Sequence, residues 1–290
     1  MKIVITGANG YIAQNIIKNF KTNKNITLLT HKNTKHIYLK KFDTLRFDLK
    51  KKKIPKLSCD VLIHTAGITP QKNYTSRQYN KINFKSLKDI VQKIKIKKKI
   101  IFLSTTDIYK NQKNNSYAKE SLKINEKVIS NYAKSKYSCE IFLKALDVNK
   151  YPFKKIILRL PGIVGKENHK NFISRLTKTI IKKKKLIYYG GNNLFNNIYH
   201  IDSLARVIKI LINKVIKKNY EIINIGTNNP IKINKVIQIL KGEINKNEKK
   251  ILNKEMFTID VNKLNKYYKT RLSTNNVLKK YFKEQLIKLK

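Results

Sequence analysis

Nine residues near the N-terminus, Ile5–Ala13 with the sequence ITGANGYIA, narrow the choice of fold more than any other stretch of this chain. The apolar run Ile3–Thr6 leads into them, and helical periodicity follows over Ile12–Phe20. Gly7, Gly10 and Ala13 stand at G-x-x-G-x-x-A spacing. Small residues are needed there if a strand turns tightly into a helix, the backbone approaches a pyrophosphate, and the helix packs close to its strand. The pyrophosphate then meets the N–H groups at the positive end of the helix. The alternative is an ordinary tight βα turn. The position between a strand and a helix favours the dinucleotide reading, because the glycine pattern alone is a weak signal.

The same rhythm continues through the first half. Apolar runs at Ile26–Thr30, Val61–Thr65, Ile100–Ser104 and Ile156–Leu160 alternate with helical stretches such as Phe84–Ile96. Such alternation predicts right-handed crossovers and a parallel sheet covered on both faces. After Pro161 the rhythm changes. Helical stretches are predicted at Asn171–Ile181, Ser203–Asn213, Lys232–Lys241 and Ser273–Lys290, and short strands at Leu186–Tyr189 and Ile222–Ile225. The expected fold is α/β, a doubly wound parallel Rossmann sheet with a smaller C-terminal substrate-binding lobe. Residues 1–165 are expected to form mainly the dinucleotide domain and 166–290 mainly the lobe, with chain around 198–228 returning to the first domain.

The formal net charge is +48, which by itself suits nucleic acid, an anionic membrane or an acidic substrate. The excess is almost all lysine, with six arginines, at 46, 77, 159, 175, 206 and 271. Asn and Ile are also abundant and Trp is absent, the signature of A/T-rich codons. Nucleic-acid sites favour the bidentate guanidinium, so nucleic acid is not an expected partner. The lysine runs at Lys50–Lys53, Lys97–Lys99 and Lys182–Lys185 are read as solvated loops and helix ends. Cys59 and Cys139 have neither metal-ligand spacing nor a disulfide framework, and no metal is expected. With no apolar leader after Lys2 and no stretch long enough to span a bilayer, the expected location is cytoplasmic, away from the membrane.

Gly7, Asn9, Gly10, Tyr11 and Ile12 are the loop candidates for the cofactor. The second strand ends in Leu29, Thr30, His31 and Lys32, without the acid that holds the ribose hydroxyls of NAD. His31 and Lys32 suit a 2′-phosphate, so NADP is preferred to NAD. Asp48 and Leu49, after the strand-like Thr44–Phe47, are placed beside the adenine. The buried strand VLIHTAG ends in Thr65, Ala66 and Gly67, small residues against which a cofactor can lie. His64 is read as a packed strand-end histidine.

NYAKSK places Tyr132 and Lys136 four residues apart, on one face of a helix. A phenol of ordinary pKa, about 10, is a poor base at neutral pH. A neighbouring ammonium stabilises the phenolate and lets Tyr132 exchange a proton with a substrate hydroxyl. Lys136 can also donate to the nicotinamide ribose. The strand FLSTTDIY presents Ser104 and Thr105 at its carboxyl end, where doubly wound sheets bind ligands.

Together these pieces resemble the extended short-chain dehydrogenases/reductases of the NAD-dependent epimerase/dehydratase family. The matching segments are TGANGYIA, FDL, IHTAG, the Asn83 region, LSTTDIY, YAKSK, ILRLPGIVG, IYHIDSLA and INIG, in family order through most of the chain. The resemblance implies that Thr105, Tyr132 and Lys136 are catalytic. It also implies that Arg159, Leu160 and Pro161–Gly162 lie on the strand and loop beside the nicotinamide and substrate, and that Thr106 and Asp107 contact the substrate. It implies a nucleotide sugar as substrate, hydride transfer to and from NAD(P), and a homodimer. Two departures matter. The acidic pair that dehydratases carry after the threonine is Thr106–Asp107 here, and the arginine that often binds the diphosphate is replaced by Asn196–Asn197. Arg175 or Arg271 is the candidate substitute. His200 and Asp202 are read as structural, with Asp202 capping a helix that begins at Ser203.

An epimerase or reductase of a nucleotide sugar is the leading reading. A non-catalytic relative that binds dinucleotide and RNA, or another acidic partner, through its basic surface is a second. An NADP-dependent reductase of a non-sugar carbonyl is a third.

Overall fold

The computed structural model describes residues 1–20, 25–31, 41–49, 54–70, 74–112, 117–167, 171–182, 184, 186–241, 248–251, 257–269 and 271–288. Lys32 and the Lys50–Lys53 run lie outside the described residues. The chain forms two compact units, one of residues 1–108, 130–159 and 205–223, the other of residues 109–129, 160–204 and 224–290.

The first unit is built on a seven-stranded parallel sheet. Its strands are β1 (Ile3–Thr6), β2 (Ile26–Thr30), β3 (Asp43–Arg46), β4 (Ser58–His64), β5 (Lys95–Thr105), β6 (Lys154–Leu160) and β7 (Tyr220–Asn224). The order across the sheet is β7-β6-β5-β4-β1-β2-β3, the doubly wound arrangement expected from the sequence. β1 pairs on one side with β2, Ile3 opposite Ile26, and on the other with β4, Ile3 opposite Val61. Chain order reverses there, so the crevice beyond the carboxyl ends of β1 and β4 is where a doubly wound sheet takes its ligand.

Central strands are apolar throughout because both faces are covered. Val4, Ile5, Val61–Ile63 and Ile100–Phe102 are buried. The edge strand β3, DTLR, is exposed and polar, which discourages further strand pairing. Four helices matter for the site: α1 (Tyr11–Lys18), α2 (Ser86–Lys93), α3 (Asn131–Ala145) and α4 (Ile201–Asn213). α2 and α3 supply Leu87, Ile90, Val91, Cys139 and Leu143 to a core completed by Val4, Leu62, Ile100, Phe102 and Ile157 of the sheet. Each large aliphatic side chain buried there contributes about 1.5–3 kcal/mol of transfer free energy. Ser130 fixes the start of α3, its side chain accepting the N–H of Ala133 at 3.2 Å. A π-helical stretch, Asn80–Lys85, precedes α2.

The solvated reading of Lys97–Lys99 holds for two of the three residues. The run lies inside β5 at a register shift against β4, between the Cys59–Ile96 and Val61–Lys99 pairs, which leaves Lys97 and Lys98 exposed and Lys99 buried. The Lys99 ammonium donates to the carbonyls of Leu211 (3.1 Å) and Lys214 (2.8 Å). Helix ends leave carbonyls without intrahelical partners, and a cation meets that need.

The second unit contains helices Phe172–Ile181, Ile233–Lys241, Asn262–Tyr267 and Thr274–Ile287, with short strand pairs between them. Ile173, Leu176, Ile180, Val236, Ile237, Leu278 and Tyr281 form its core. Asn171 caps the first of these helices in a capping box with Ser174, and Ser273 caps the last. The helix predicted from Ser203 begins at Ile201, so Asp202 lies within its first turn and does not cap it. His200 does that work, its Nδ1 accepting the Asp202 N–H at 3.2 Å, while Asp202 pairs with Lys280 at 2.8 Å. Among the described residues no helix is long and apolar enough to cross a membrane.

Candidate active site

Three consecutive residues at the carboxyl end of β5 each engage one turn of α3. The Leu103 carbonyl accepts from Lys136 Nζ at 2.9 Å. Ser104 Oγ donates to the Glu140 carboxylate at 2.5 Å. Thr105 is hydrogen-bonded to the Tyr132 hydroxyl. Positions 132, 136 and 140 recur at helical spacing, so one face of α3 meets one strand end. Thr105 and Lys136 are buried, and Tyr132 is half-buried with its ring tilted against Tyr79, centroids 5.9 Å apart.

The electrostatics differ from the sequence expectation. Burial pushes the Tyr132 phenol above its ordinary value, and the Asp107 carboxylate adds to that, while the Thr105 hydrogen bond acts in the opposite direction. The lowering expected from Lys136 does not prevail, because its ammonium is directed to the Leu103 carbonyl and over the Phe102 ring, 4.8 Å from the centroid. Burial also holds the Lys136 pKa below its ordinary value, opposed by Cys139 and Glu140. Thr106 is buried and opens the 3-10 turn Thr106–Tyr109, and the Asp107 N–H donates to Thr105 Oγ at 3.1 Å.

The glycine loop sits at the carboxyl end of β1. Gly7 has φ +68°, and a Cβ there would lie 2.7 Å from Ala66 Cα, so both conformation and space call for glycine. Gly10 is the N-cap of α1 and its N–H donates to the Gly7 carbonyl at 2.8 Å. Tyr11 and Ile12 open the helix, whose first turn contains no acid, and Gln14 Nε2 donates to the Asn9 carbonyl at 2.8 Å. Thr65 Oγ donates to the Thr6 carbonyl at 2.6 Å, and the Ala66 N–H to Thr6 Oγ at 3.3 Å. Gly67 connects this loop to the β5–α3 corner: with φ +155°, a Cβ there would fall 3.0 Å from Asn83 Oδ1 and 3.5 Å from Lys136 Nζ. His31 Nε2 lies 3.3 Å from Asp48 Oδ2, with Leu49 half-buried next in sequence.

Leu160, Pro161, Arg175 and Arg271 fall in the second unit. Leu160 is buried, Pro161 half-buried, and both arginines are exposed. Asn196, at the position where the family resemblance implies an arginine, is committed to backbone. Its Nδ2 donates to the carbonyls of Thr227 (2.9 Å) and Ile259 (2.8 Å), and its Oδ1 accepts the Ile259 N–H at 2.8 Å.

Spacing alone gave no catalytic or binding role to four further residues. Asn83, in the π-helical stretch, accepts the Ile68 N–H at 2.8 Å and donates to Ser135 Oγ at 3.0 Å, tying α3 to the loop after β4. π-Helical turns gather at functional sites, but nothing in a sequence period marks one. Glu140 and Arg159 form a buried ion pair at 2.6 Å. His64 is fully buried, its Nδ1 2.9 Å from Thr6 Oγ and its ring stacked on Phe102.

Residues 3–226 match the NAD dependent epimerase/dehydratase family. The chain belongs to that family. A putative UDP-glucose 4-epimerase from Methanocaldococcus jannaschii is 25% identical over 258 residues, spanning 83% of this chain and 82% of the relative. GDP-6-deoxy-D-talose 4-dehydrogenase from Aggregatibacter actinomycetemcomitans is 27% identical over 264 residues, 89% of this chain and 84% of the relative. Among solved structures, the fold resembles UDP-glucuronic acid 4-epimerase from Bacillus cereus in complex with NAD, with TM-score 0.75, 22% identity and all of both chains covered. UDP-glucose 4-epimerase from Thermotoga maritima with UDP-glucose gives TM-score 0.75 at 17% identity, again over 100% of both chains.

Proposed function

We propose that this chain is an NAD-dependent enzyme that oxidises and re-reduces a hydroxyl-bearing carbon of a nucleotide-activated sugar, as an epimerase or a reductase. The observation that carries this reading is the convergence of Thr105, Tyr132 and Lys136 where β5 meets α3, with Gly67 held open beside Lys136.

The residues present suit a dinucleotide. Gly10 offers an N-cap without a side chain, no acid stands in the first turn of α1, and Gly7 allows the backbone to turn tightly. Gly7, Asn9, Gly10, Tyr11 and Ile12 would take the pyrophosphate, Asp48 and Leu49 the adenosine, and Thr65–Gly67 with Lys136 the nicotinamide half. We read the cofactor as NAD. The NADP preference rested on His31 and Lys32, and His31 faces the Asp48 carboxylate, which would repel a 2′-phosphate. NAD, when bound, supplies the hydride acceptor and donor. Tyr132 takes the proton from the sugar hydroxyl and returns it, and Thr105 hydrogen-bonds the reacting oxygen. Arg175 and Arg271 are exposed candidates for the diphosphate of the substrate.

The test is a thermal-shift titration with NAD+, followed by turnover assays on UDP-, dTDP- and GDP-sugars. A ligand at about 100 times its Kd adds roughly 2.7 kcal/mol of stability. Stabilisation by NAD+ with turnover of one sugar class supports the reading. Folded, cofactor-free protein that neither NAD+ nor NADP+ stabilises would remove it.

A further inference from the structure

We infer that Glu140 is a positioning residue for the Tyr132–Lys136 pair, a buried carboxylate that locks α3 against β5 and β6 and stands one helical turn from Lys136. The inference rests on the enzymatic reading above and names a residue to which that reading gave no part.

Glu140 is 1% exposed, in a position where a lone carboxylate would be costly. It is fully engaged. Arg159 Nη2 donates to Oε2 at 2.6 Å, Arg159 Nε approaches both oxygens at 3.2 Å, and Ser104 Oγ donates to Oε1 at 2.5 Å. The backbone carbonyl of Glu140 also accepts from the Tyr220 hydroxyl at 3.2 Å. Arg159 lies on β6 and Ser104 on β5, so this one side chain fastens the helix to two adjacent strands.

Two consequences bear on chemistry. First, Ser104 sits between Leu103 and Thr105, the residues that engage Lys136 and Tyr132. A slip of α3 by one residue moves it about 1.5 Å along its axis and separates both contacts. Buried ion pairs are weak sources of net stability compared with apolar packing, so fixing the register is the more physical account of this one. Second, Lys136 is faced by Cys139 and Glu140 from its own helix, by His64 from β4, and by the Leu103 carbonyl and Phe102 ring from β5. Burial disfavours its ammonium, and Cys139 first and then Glu140 favour it. Glu140 is thus the carboxylate that offsets the burial of Lys136, while Arg159 balances the carboxylate.

The experiment compares wild type, Glu140→Gln, Glu140→Asp and Ser104→Ala. In Glu140→Gln, kcat is expected to fall about tenfold or more with KM little changed, because reacting groups are misplaced. Glu140→Asp is expected to recover part of the loss. The titration of the Lys136 ammonium, followed by NMR in lysine-labelled protein with Lys136→Met assigning the signal, is expected to move to lower pH in Glu140→Gln. That readout needs no substrate, so a failed catalytic reading and a failed positioning role are told apart. Glu140→Gln protein with the wild-type Lys136 titration and wild-type kcat would overturn the inference. If Glu140→Gln does not fold, Ser104→Ala decides: it keeps the ion pair and cuts only the link to β5. Reduced kcat with Tm within about 4 °C of wild type supports the role, and unchanged kcat ends it.

Discussion

The Lys136 ammonium donates to the Leu103 carbonyl at 2.9 Å, and the next residue but one, Thr105, holds the Tyr132 hydroxyl. The strand end therefore grips both members of the i,i+4 pair. Tyr132→Phe removes the Thr105 contact and keeps the Lys136–Leu103 hydrogen bond. Turnover is expected to fall by about 100-fold or more, the usual range for a positioned acid–base group, while NAD+ binding changes little. Steady-state rates and a thermal-shift titration on the same preparation check it, and wild-type turnover would remove Tyr132 from the mechanism.

Asp107 offers a separate handle on the same phenol. Its carboxylate raises the Tyr132 pKa, second only to burial. Asp107→Asn removes that contribution, so the phenolate forms at lower pH. The ascending limb of kcat/KM against pH is expected to move to lower pH in this variant. A limb that stays in place would mean that another group controls the profile.

The proposed preference for NAD rests on His31 and Asp48, 3.3 Å apart. NAD+ is expected to stabilise the protein more than NADP+ at equal concentration. Asp48→Asn takes away the negative charge and is expected to narrow that gap. A larger shift with NADP+ in the wild type would restore the preference drawn from the bare sequence.

Gly7 and Gly10 separate conformational need from space. Gly7→Ala combines φ +68° with a Cβ 2.7 Å from the Ala66 backbone, whereas Gly10→Ala keeps φ −76° and meets only the Gly7 carbonyl at 3.1 Å. Strain of the first kind costs about 1–3 kcal/mol before any clash is counted. Urea unfolding should therefore rank Gly7→Ala as the less stable variant, and the reverse order would contradict the loop geometry.

How legible these features were depended on their range in the sequence. The β1 loop, the Tyr132–Lys136 spacing and the strand-end Thr105 are local patterns, and periodicity with small residues at fixed offsets displays them. The Glu140–Arg159 pair joins a helix to a strand 19 residues away, and no spacing rule predicts which of many charges will be buried together. His31 and Asp48 meet because β2 and β3 are neighbours, with Thr30 opposite Arg46, a register set by folding. Lys99 looked like surface because lysines surrounded it. A register shift in β5 takes it inward, and two helix-end carbonyls satisfy it there. The glycine spacing points to a ligand, yet Gly7 is also required by the approach of Ala66, in the loop after β4, a contact 59 residues distant that only the sheet order supplies.

His64 gives the chain an intrinsic acid sensitivity. It is fully buried beside Lys136, and burial first, then the lysine charge, pulls its pKa down to about 3. An unfolded-chain histidine titrates near its ordinary value of about 6.5. Between these values the unfolded state binds a proton that the folded state does not, so stability rises with pH across that window and is lost as pH falls through it. The loss from this one residue is about 2 kcal/mol between pH 7 and pH 5, at roughly 1.36 kcal/mol per unit. Urea unfolding of wild type and His64→Asn at the two pH values checks it. The variant is expected to be less stable at neutral pH, because its packing is poorer, and to lose less on acidification. Equal losses in both proteins would assign the acid sensitivity to other groups.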